Sequence, residues 1–326
     1  MAEAAAREEE GEFIIIKSPY GDNIELFDNE EMLSDLLFVY GEEEDTEGLQ
    51  LHRGILGRGS RLAQGLLKSK EMTESPDANQ MGWVFDTKKK VDRDMLVTAL
   101  RFCYGESMRV GTRDGECCAM IATLSRLQLT CLDKVVTELK AFAISQAEKD
   151  ARVGAELMVA TQDYPECRNV NICELDRDIA RVVFTTKNLC DHYEEVVENC
   201  LMTLPPEYLD MVDFGEPHTR YSEFNIRLQY VKHKGENMSA DDKRKEMNKC
   251  DLTKLNGDEL GELKKLGIVE PETMKEMYEH ALERTESEKR ECQEHEKNTE
   301  KERSDATKKS LLILSYTFET LSFITC

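Results

Sequence analysis

The sequence predicts an α+β domain followed by an all-α region. Short apolar runs bounded by turn residues recur between Phe13 and Val110, and such runs are typical of buried strands. Amphipathic helical patterns lie between these runs, and beyond Ala147 only helical patterns remain. With 326 residues, of which 40% are hydrophobic, the chain is long enough to bury the cores of two ordinary domains.

The formal net charge is −23, which predicts a strongly electronegative surface. We therefore expect neither a nucleic-acid backbone nor an anionic membrane to be the main partner. The first eleven residues are rich in Ala and Glu, which predicts a disordered acidic lead and no signal peptide. The 11 cysteines follow no regular framework, so we interpret them as reduced thiols of a cytoplasmic or nuclear protein.

The first predicted strand is Phe13–Ile16, and a dense cluster of turn residues follows it. Ile24–Phe27 is expected to return as its partner in a local hairpin. A second hairpin is predicted where the bulky run Leu36–Tyr40 is followed by an acidic turn and by the alternating Leu49–Leu51. Ser60 then stands where it can cap a helix with an apolar face.

This order of strand, turn, strand, His-x-x-x-Leu and serine-capped helix resembles the opening of the BTB (POZ) domain. The family implies a protein-interaction fold in which helices flank a short mixed sheet. The resemblance is carried by Ser34, Asp35, Phe38, Leu49, His52, Arg53, Leu56 and Ser60. The chain departs from the family pattern at Gly54 and Gly57, where alanine is usual, and at Leu62 and Ala63, where an aromatic pair is usual. Because glycine costs about 1 kcal/mol in a helix, we expect a looser or shorter element there.

The resemblance extends from Met32 to Ser145. A strand is predicted around Trp83, and the helix after it runs into a segment similar to the family's Phe-x-x-Leu-Leu-x-Phe-x-Tyr-Thr-Gly. That segment is matched by Leu96, Leu100, Phe102, Tyr104 and Gly105. A last short strand at Met108–Val110 and two further helices complete the domain. In long-form members an extra N-terminal segment can add a strand across a dimer, so Phe13–Ile16 is either an exchanged strand or a local cover of the domain's own edge.

The helical region that follows is similar to the BACK domain of many BTB adaptors. The matching residues are Leu204, Pro205, Leu209, Glu223, Tyr230 and Val231. The resulting domain prediction is an acidic lead at 1–11, a BTB domain at 12–147, a BACK-like domain at 148–270, a charged helix at 271–309 and an apolar tail at 310–326. The tail is shorter and more polar than a membrane helix of about 20 apolar residues, so a tail anchor is the less favoured alternative. Docking onto the body, partner binding and an altered terminus remain open for it.

Two pairs of residues are candidate interaction sites. The resemblance implies that Asp35 and Arg53 line a charged pocket at a dimer interface, and a bidentate pair between the carboxylate and the guanidinium is expected. The alternative is a local ion pair that orders only the monomer. Met72 and Glu74 resemble the hydrophobic-x-Glu motif with which related adaptors engage a cullin: the methionine fills an apolar groove and the glutamate bonds at its edge.

The motifs that indicate catalysis or cofactor binding are weak. Gly54-x-x-Gly57-x-Gly59 has the wrong order for a dinucleotide loop, and His52 resembles a structural histidine of the BTB pattern. The spacing of the remaining Cys and His candidates does not fit a zinc site, so buried structural thiols are expected. These candidates are Cys117, Cys118, Cys167, Cys173, Cys190, His192 and Cys200. We expect no enzyme activity, no metal and no cofactor.

The functional prediction is a homodimeric adaptor that links a bound target to a cullin-type ubiquitin ligase. No kelch, MATH or zinc-finger module is recognisable after the helical region, so the target would be held by the helices or by the tail. One alternative is a BTB scaffold without a ubiquitin-ligase role. A helical structural protein without a BTB domain is a further alternative.

Overall fold

A computed structural model describes residues 13–29, 34–42, 45–68, 80–85 and 90–322. The chain divides into two compact units, Met1–Gly215 and Glu216–Cys326. The first unit carries five strands among helices, whereas the described part of the second holds helices and loops without a strand. The predicted α+β class is therefore confirmed. The finer domain boundaries stay predictions.

In the described part of the first unit, five strands form two sheets. In chain order they are β1 (Phe13–Ile16), β2 (Leu36–Glu42), β3 (Asp45–Leu51), β4 (Gln80–Phe85) and β5 (Met108–Gly111). One sheet has the order β3-β2-β4, with β3 antiparallel and β4 parallel to β2. The other pairs β1 with β5 in antiparallel fashion. The predicted β2–β3 hairpin, the strand around Trp83 and the strand at Met108 are thus confirmed.

The segment after β1 folds differently from the prediction. Ile24–Asp28 is a short helix, α1, so the expected returning strand is wrong. The Asn23 backbone N–H donates to the Tyr104 carbonyl at 2.7 Å, and Phe27 packs edge-on against the Tyr104 ring. These long-range contacts outweigh the weak strand preference of a short apolar run.

The strand β1 finds its partner far away in the sequence. Phe13 lies opposite Gly111 and Ile16 opposite Met108, so the local hairpin with residues 24–27 is wrong. The Arg109 guanidinium lies 3.5 Å from the centre of the Phe13 ring and adds a cation–π contact to this pairing. Within the single chain, β1 therefore covers an edge of its own domain. Exchange between two chains stays a prediction.

After the hairpin, the described residues form α2 (Arg53–Gly59), α3 (Arg61–Lys68) and α4 (Lys90–Cys103). The seven-residue α2 agrees with the expectation of a short element there. Ser60 caps α3 as predicted, because its Oγ accepts a hydrogen bond from the Ala63 N–H at 3.0 Å. The same fully buried hydroxyl donates to the Leu127 carbonyl at 2.5 Å and so joins the start of α3 to the end of the helix at Glu116–Arg126.

The remainder of the first unit is helical. Its α-helices are α5 (Glu116–Arg126), α6 (Leu132–Lys149), α7 (Ala151–Asp163), α8 (Pro165–Arg168), α9 (Leu175–Val183) and α10 (Thr186–Asp191). A π-helix at Glu194–Leu201 and a 3-10 helix at Pro206–Met211 follow. The segment Met202–Pro205 separates these two helices. Fully buried core side chains of this unit include Phe38, Leu51, Leu96, Phe102, Ile121, Leu139, Leu157 and Ile179.

The second unit is built from α11 (Glu223–Lys234), α12 (Ala240–Met247), α13 (Gly257–Leu266) and α14 (Pro271–Ser322). Its core is formed by Phe224, Leu228, Val231, Met247, Leu260, Leu263, Ile268 and Met274. The predicted long helix from Pro271 is confirmed, and Ala281 is its last buried side chain in the part described. Among the helices in the described ranges, none is long and apolar enough to span a membrane.

Candidate functional site

The predicted charged pair lies at the base of the β2–β3 hairpin. Leu36 and Leu51 are partners in the strand register, so the residue before β2 meets the residues after β3. The Asp35 backbone N–H donates to the Leu51 carbonyl at 3.2 Å. Arg53 is the first residue of α2, and its backbone N–H donates to Asp35 Oδ1 at 2.8 Å. The hairpin therefore brings the two predicted site residues together.

The geometry of the pair differs from the expected bidentate bridge. The Arg53 Nε donates to the backbone carbonyl of Asp35 at 2.9 Å, whereas the carboxylate accepts from the Arg53 main chain. The bidentate prediction is therefore wrong for the single chain. The physical reason is the helix start: the first N–H groups of α2 lack intrahelical acceptors, and the neighbouring carboxylate supplies one.

The guanidinium of Arg53 is incompletely bonded. Its Nη2 atom is buried and has no hydrogen-bond partner among the described residues. A buried donor without a partner costs about 1–3 kcal/mol, and more when the group is charged. The Asp35 side chain is exposed beside it. The pair therefore leaves one guanidinium nitrogen without a partner and one carboxylate accessible at the base of the hairpin.

Tyr104 joins this cluster and was not predicted as a site residue. Its hydroxyl accepts a 2.7 Å hydrogen bond from the His52 backbone N–H and lies 3.2 Å from the His52 ring nitrogen Nδ1. The predicted hydrogen-bonding role of His52 is thus confirmed. Only the Tyr-Gly step of the resemblance pointed to Tyr104, and it gave no contact partner.

The turn after Tyr104 requires glycine. Gly105 has a φ of +109°, and a Cβ at this position would lie 1.8 Å from the carbonyl oxygen of Gly21. An L side chain would therefore clash with the backbone as well as strain the turn. This close approach places Tyr104 against α1 and the hairpin base.

The cluster holds the base of the hairpin against the segment that follows α4. Tyr104 is fully buried, and burial raises the pKa of its phenol above the ordinary value. The described residues contain no group of three or more His, Cys, Asp or Glu side chains that could hold a metal ion.

The second predicted site, Met72 and Glu74, lies outside the described residues. The structure describes the elements on either side, namely α3, which ends at Lys68, and β4, which begins at Gln80.

The cysteine prediction is confirmed in most places. Cys117, Cys118, Cys167, Cys173 and Cys200 are free and buried. Burial raises the pKa of the Cys200 thiol to about 12, so this side chain is protonated and unreactive near neutral pH. Cys190 is exposed instead, so the expectation of burial is wrong there.

Comparison with protein-family models and with curated proteins found no match. No model of a protein family fits the chain, and no significantly similar curated protein was found. The assignment of a function therefore rests on the residues and their geometry.

Proposed function

We propose that this chain is a homodimeric protein-interaction adaptor of the BTB type that links a bound target to a cullin-type ubiquitin ligase. The observation that carries the proposal is the small mixed sheet, in which β2 pairs antiparallel with β3 and parallel with β4, while α2 and α3 lie between β3 and β4 in the chain. This arrangement agrees with what the resemblance implies, a short mixed sheet with flanking helices.

The dimeric state is supported by the base of the hairpin. The buried Nη2 of Arg53 lacks a hydrogen-bond partner among the described residues, and the Asp35 carboxylate is exposed close by. Two such sites facing each other across a two-fold axis would supply each guanidinium with the other chain's carboxylate. The strand β1 adds a second candidate contact, because Ile15 is 59% exposed on it.

The contact with the cullin is proposed for Met72 and Glu74. The connection that carries them joins α3 to β4, and therefore begins and ends in the domain that contains the mixed sheet. A methionine two residues before a glutamate can offer a partner one apolar anchor and one charged hydrogen bond. The target would be bound by the helical part of the chain or by its tail, in the cytoplasm or the nucleus.

Light scattering of the full chain tests the dimer. We expect twice the chain mass of 37.4 kDa at tens of micromolar. Arg53→Met should shift the equilibrium between dimer and monomer toward the monomer, because it removes the guanidinium that would bond the other chain's carboxylate. Arg61→Met, at an exposed arginine nearby, is the control and should leave the equilibrium unchanged. A strictly monomeric wild type would exclude the dimer.

Cullin capture tests the ligase role. Met72→Ala and Glu74→Lys should each abolish capture, since a reversed charge in a desolvated contact costs several kcal/mol. Glu71→Lys is the matched control, because it makes the same charge change one residue before Met72. Equal capture by all variants would exclude this contact. If the wild type captures no cullin, the BTB scaffold without a ligase role becomes the better proposal.

A further inference from the structure

A groove with a volume of about 510 Å³ lies in the helical part of the first unit. Its lining includes Asp114, Gly115, Arg152, Glu156, Val159 and Glu195. None of these residues belongs to the sites considered above. The groove is open on one side, so a side chain from another molecule can enter it.

Three elements build the walls of this groove. One wall is a single face of α7, on which Arg152, Glu156 and Val159 follow one another at helical spacing. The second is a turn of 3-10 helix at Arg113–Gly115, and the third is the π-helix at Glu194–Leu201. Helix α7 packs against both of these elements. π-Helical turns are rare and occur frequently at functional sites.

The floor of the groove is apolar. Ala155 and Cys200 are buried there, and Val159 is 39% exposed although it is a large aliphatic residue. Gly115 allows the 3-10 turn to approach α7 closely, because a Cβ at this position would lie 3.1 Å from the Ala160 Cβ. An aliphatic chain laid on this floor would cover Val159 and gain the burial of its own methylene groups.

The rim of the groove is negatively charged. Asp114, Glu156 and Glu195 each bring a carboxylate from a different wall. The arginine beside them is already neutralised, because Arg152 donates to both carboxylate oxygens of Asp150 at 3.0 and 2.7 Å. This bond is the main cause of the raised pKa of the Arg152 guanidinium, and the charges of Glu195 and Glu156 contribute to it as well. The groove therefore carries an excess of negative charge.

We propose that this groove binds an arginine side chain presented by an extended peptide segment of a partner protein. The proposal rests on the adaptor function above and assigns target recognition to this face of the helical part. An arginine fits because its three methylene groups can lie on the apolar floor while the guanidinium reaches the rim. Its planar fork can bond carboxylates from two walls at once, which the point charge of a lysine cannot match.

Fluorescence anisotropy with a labelled peptide tests the proposal on the full chain. The probe is acetyl-Ala-Leu-Arg-Leu-Ala-amide, and the comparison peptides carry Lys, Gln or Glu in place of Arg. We expect the Arg peptide to bind more tightly than the Lys peptide and at least tenfold more tightly than the Gln peptide. The Glu peptide should not bind. Hydrogen exchange should slow in residues 152–160 and 194–201 when the Arg peptide is present.

Two groove variants and one control separate this site from general attraction to an acidic protein. Glu156→Gln with Glu195→Gln should weaken binding of the Arg peptide at least tenfold. Val159→Lys should abolish binding of the Arg peptide, because the ammonium group of the new side chain would occupy the groove and repel the arginine. Glu288→Gln with Glu291→Gln makes the same change of net charge on the exposed part of α14 and should leave binding unchanged.

The outcomes distinguish this inference from the proposed function. The arginine site would be overturned if the wild type does not bind the Arg peptide. It would also be overturned if the double variant in the groove and the double variant on α14 lose affinity for this peptide equally. Cullin capture by the same variants is measured in parallel and should be unaffected. We expect the groove variants to lose binding of the Arg peptide and to keep the capture of cullin. Failure of capture in the wild type would count against the ligase role alone.

Discussion

The hydroxyl of Tyr104 accepts a hydrogen bond of 2.7 Å from the backbone N–H of His52, which lies far earlier in the chain. The bond joins the end of the β2–β3 hairpin to the segment that follows α4. Tyr104 is fully buried, with Phe27 against its ring at a centroid distance of 5.1 Å. No solvent can therefore replace the hydroxyl if it is removed.

Replacing this hydroxyl tests how strongly it holds the hairpin. Tyr104→Phe should lower the free energy of unfolding by about 1–3 kcal/mol, because it removes the acceptor of a part-buried hydrogen bond from the His52 N–H. Urea unfolding followed by circular dichroism measures the change. Tyr278→Phe, at a tyrosine that is 37% exposed on α14, is the control and should stay within about 0.5 kcal/mol of the wild type. Equal effects of both variants would contradict the role assigned to Tyr104.

The parts of the fold that were predictable from the sequence are those with local signals. The β2–β3 hairpin follows from an apolar run, a turn and an alternating run, and the Ser60 cap follows from one side chain and the next three residues. The partner of β1 and the conformation of Ile24–Asp28 were not predictable in this way. Both depend on contacts with residues about 80 to 100 positions later, around Tyr104 and β5.

In the candidate sites, too, the features with a local sequence signal were predictable and those that depend on distant contacts were not. The proximity of Asp35 and Arg53 follows from the hairpin, but the hydrogen bonds between them depend on where α2 begins, which the sequence did not indicate. The groove beside α7 was missed entirely. Its residues come from three separated segments, and a π-helix has no simple sequence period by which the contribution of Glu195 and Asn199 could be recognised.

Two glycines of the first unit should respond to alanine with opposite signs. A Cβ at Gly154 would lie 2.4 Å from Val183 Cγ2 and 2.9 Å from the Ala147 Cβ, where α7 packs against its neighbours. Gly154→Ala should therefore destabilise the protein by about 1–3 kcal/mol through overpacking. Gly65 in α3 has no atom within 4 Å of such a Cβ, so Gly65→Ala should stabilise by about 0.5–1 kcal/mol.

Thermal unfolding of both glycine variants gives the comparison. The two changes add the same methyl group within a helix, so a difference in sign reports the surroundings and not the helix propensity. Stabilisation by Gly154→Ala would show that α7 and α9 are packed less closely than the structure indicates.

A carboxylate of the second unit should titrate at unusually low pH. Lys232 donates to Glu262 at 2.6 Å, and Lys265 donates to the same carboxylate. The hydrogen bond from Lys232 is the largest cause that lowers the Glu262 pKa to about 2. Because the folded pKa lies below the ordinary value of about 4.3, the stabilisation is fully present above that value. It is lost as the pH falls toward 2.

Carbon NMR of the side-chain carboxyl measures this titration on the full chain. The Glu262 resonance should have its midpoint near pH 2, and the resonance should disappear in Glu262→Gln, which provides the assignment. The same variant should show a weaker loss of stability between pH 4 and pH 2 than the wild type. A midpoint at the ordinary value for glutamate would show that the two lysines do not hold the carboxylate in solution.

A buried ion pair links α11 to α12. Arg227 Nη1 lies 2.9 Å from Glu246 Oε2, and the two side chains are only 3% and 6% exposed. Glu223 adds a second bond to the guanidinium at 2.9 Å, and Lys249 lies 3.0 Å from the Glu246 carboxylate. Both outer residues are partly exposed and can return to water when their inner partner is removed.

The loss of folding stability on substitution depends on whether one or both residues of this ion pair are replaced. Arg227→Met leaves the Glu246 charge buried with only Lys249 against it, and should destabilise the protein by about 3–5 kcal/mol. Adding Glu246→Leu removes the stranded charge and supplies an apolar side chain next to the core residue Met247, so the double variant should recover at least about 2 kcal/mol. Urea unfolding of the wild type, both single variants and the double variant completes the cycle. Single effects that simply add in the double variant would mean that the two charges are not coupled and that solvent reaches the pair.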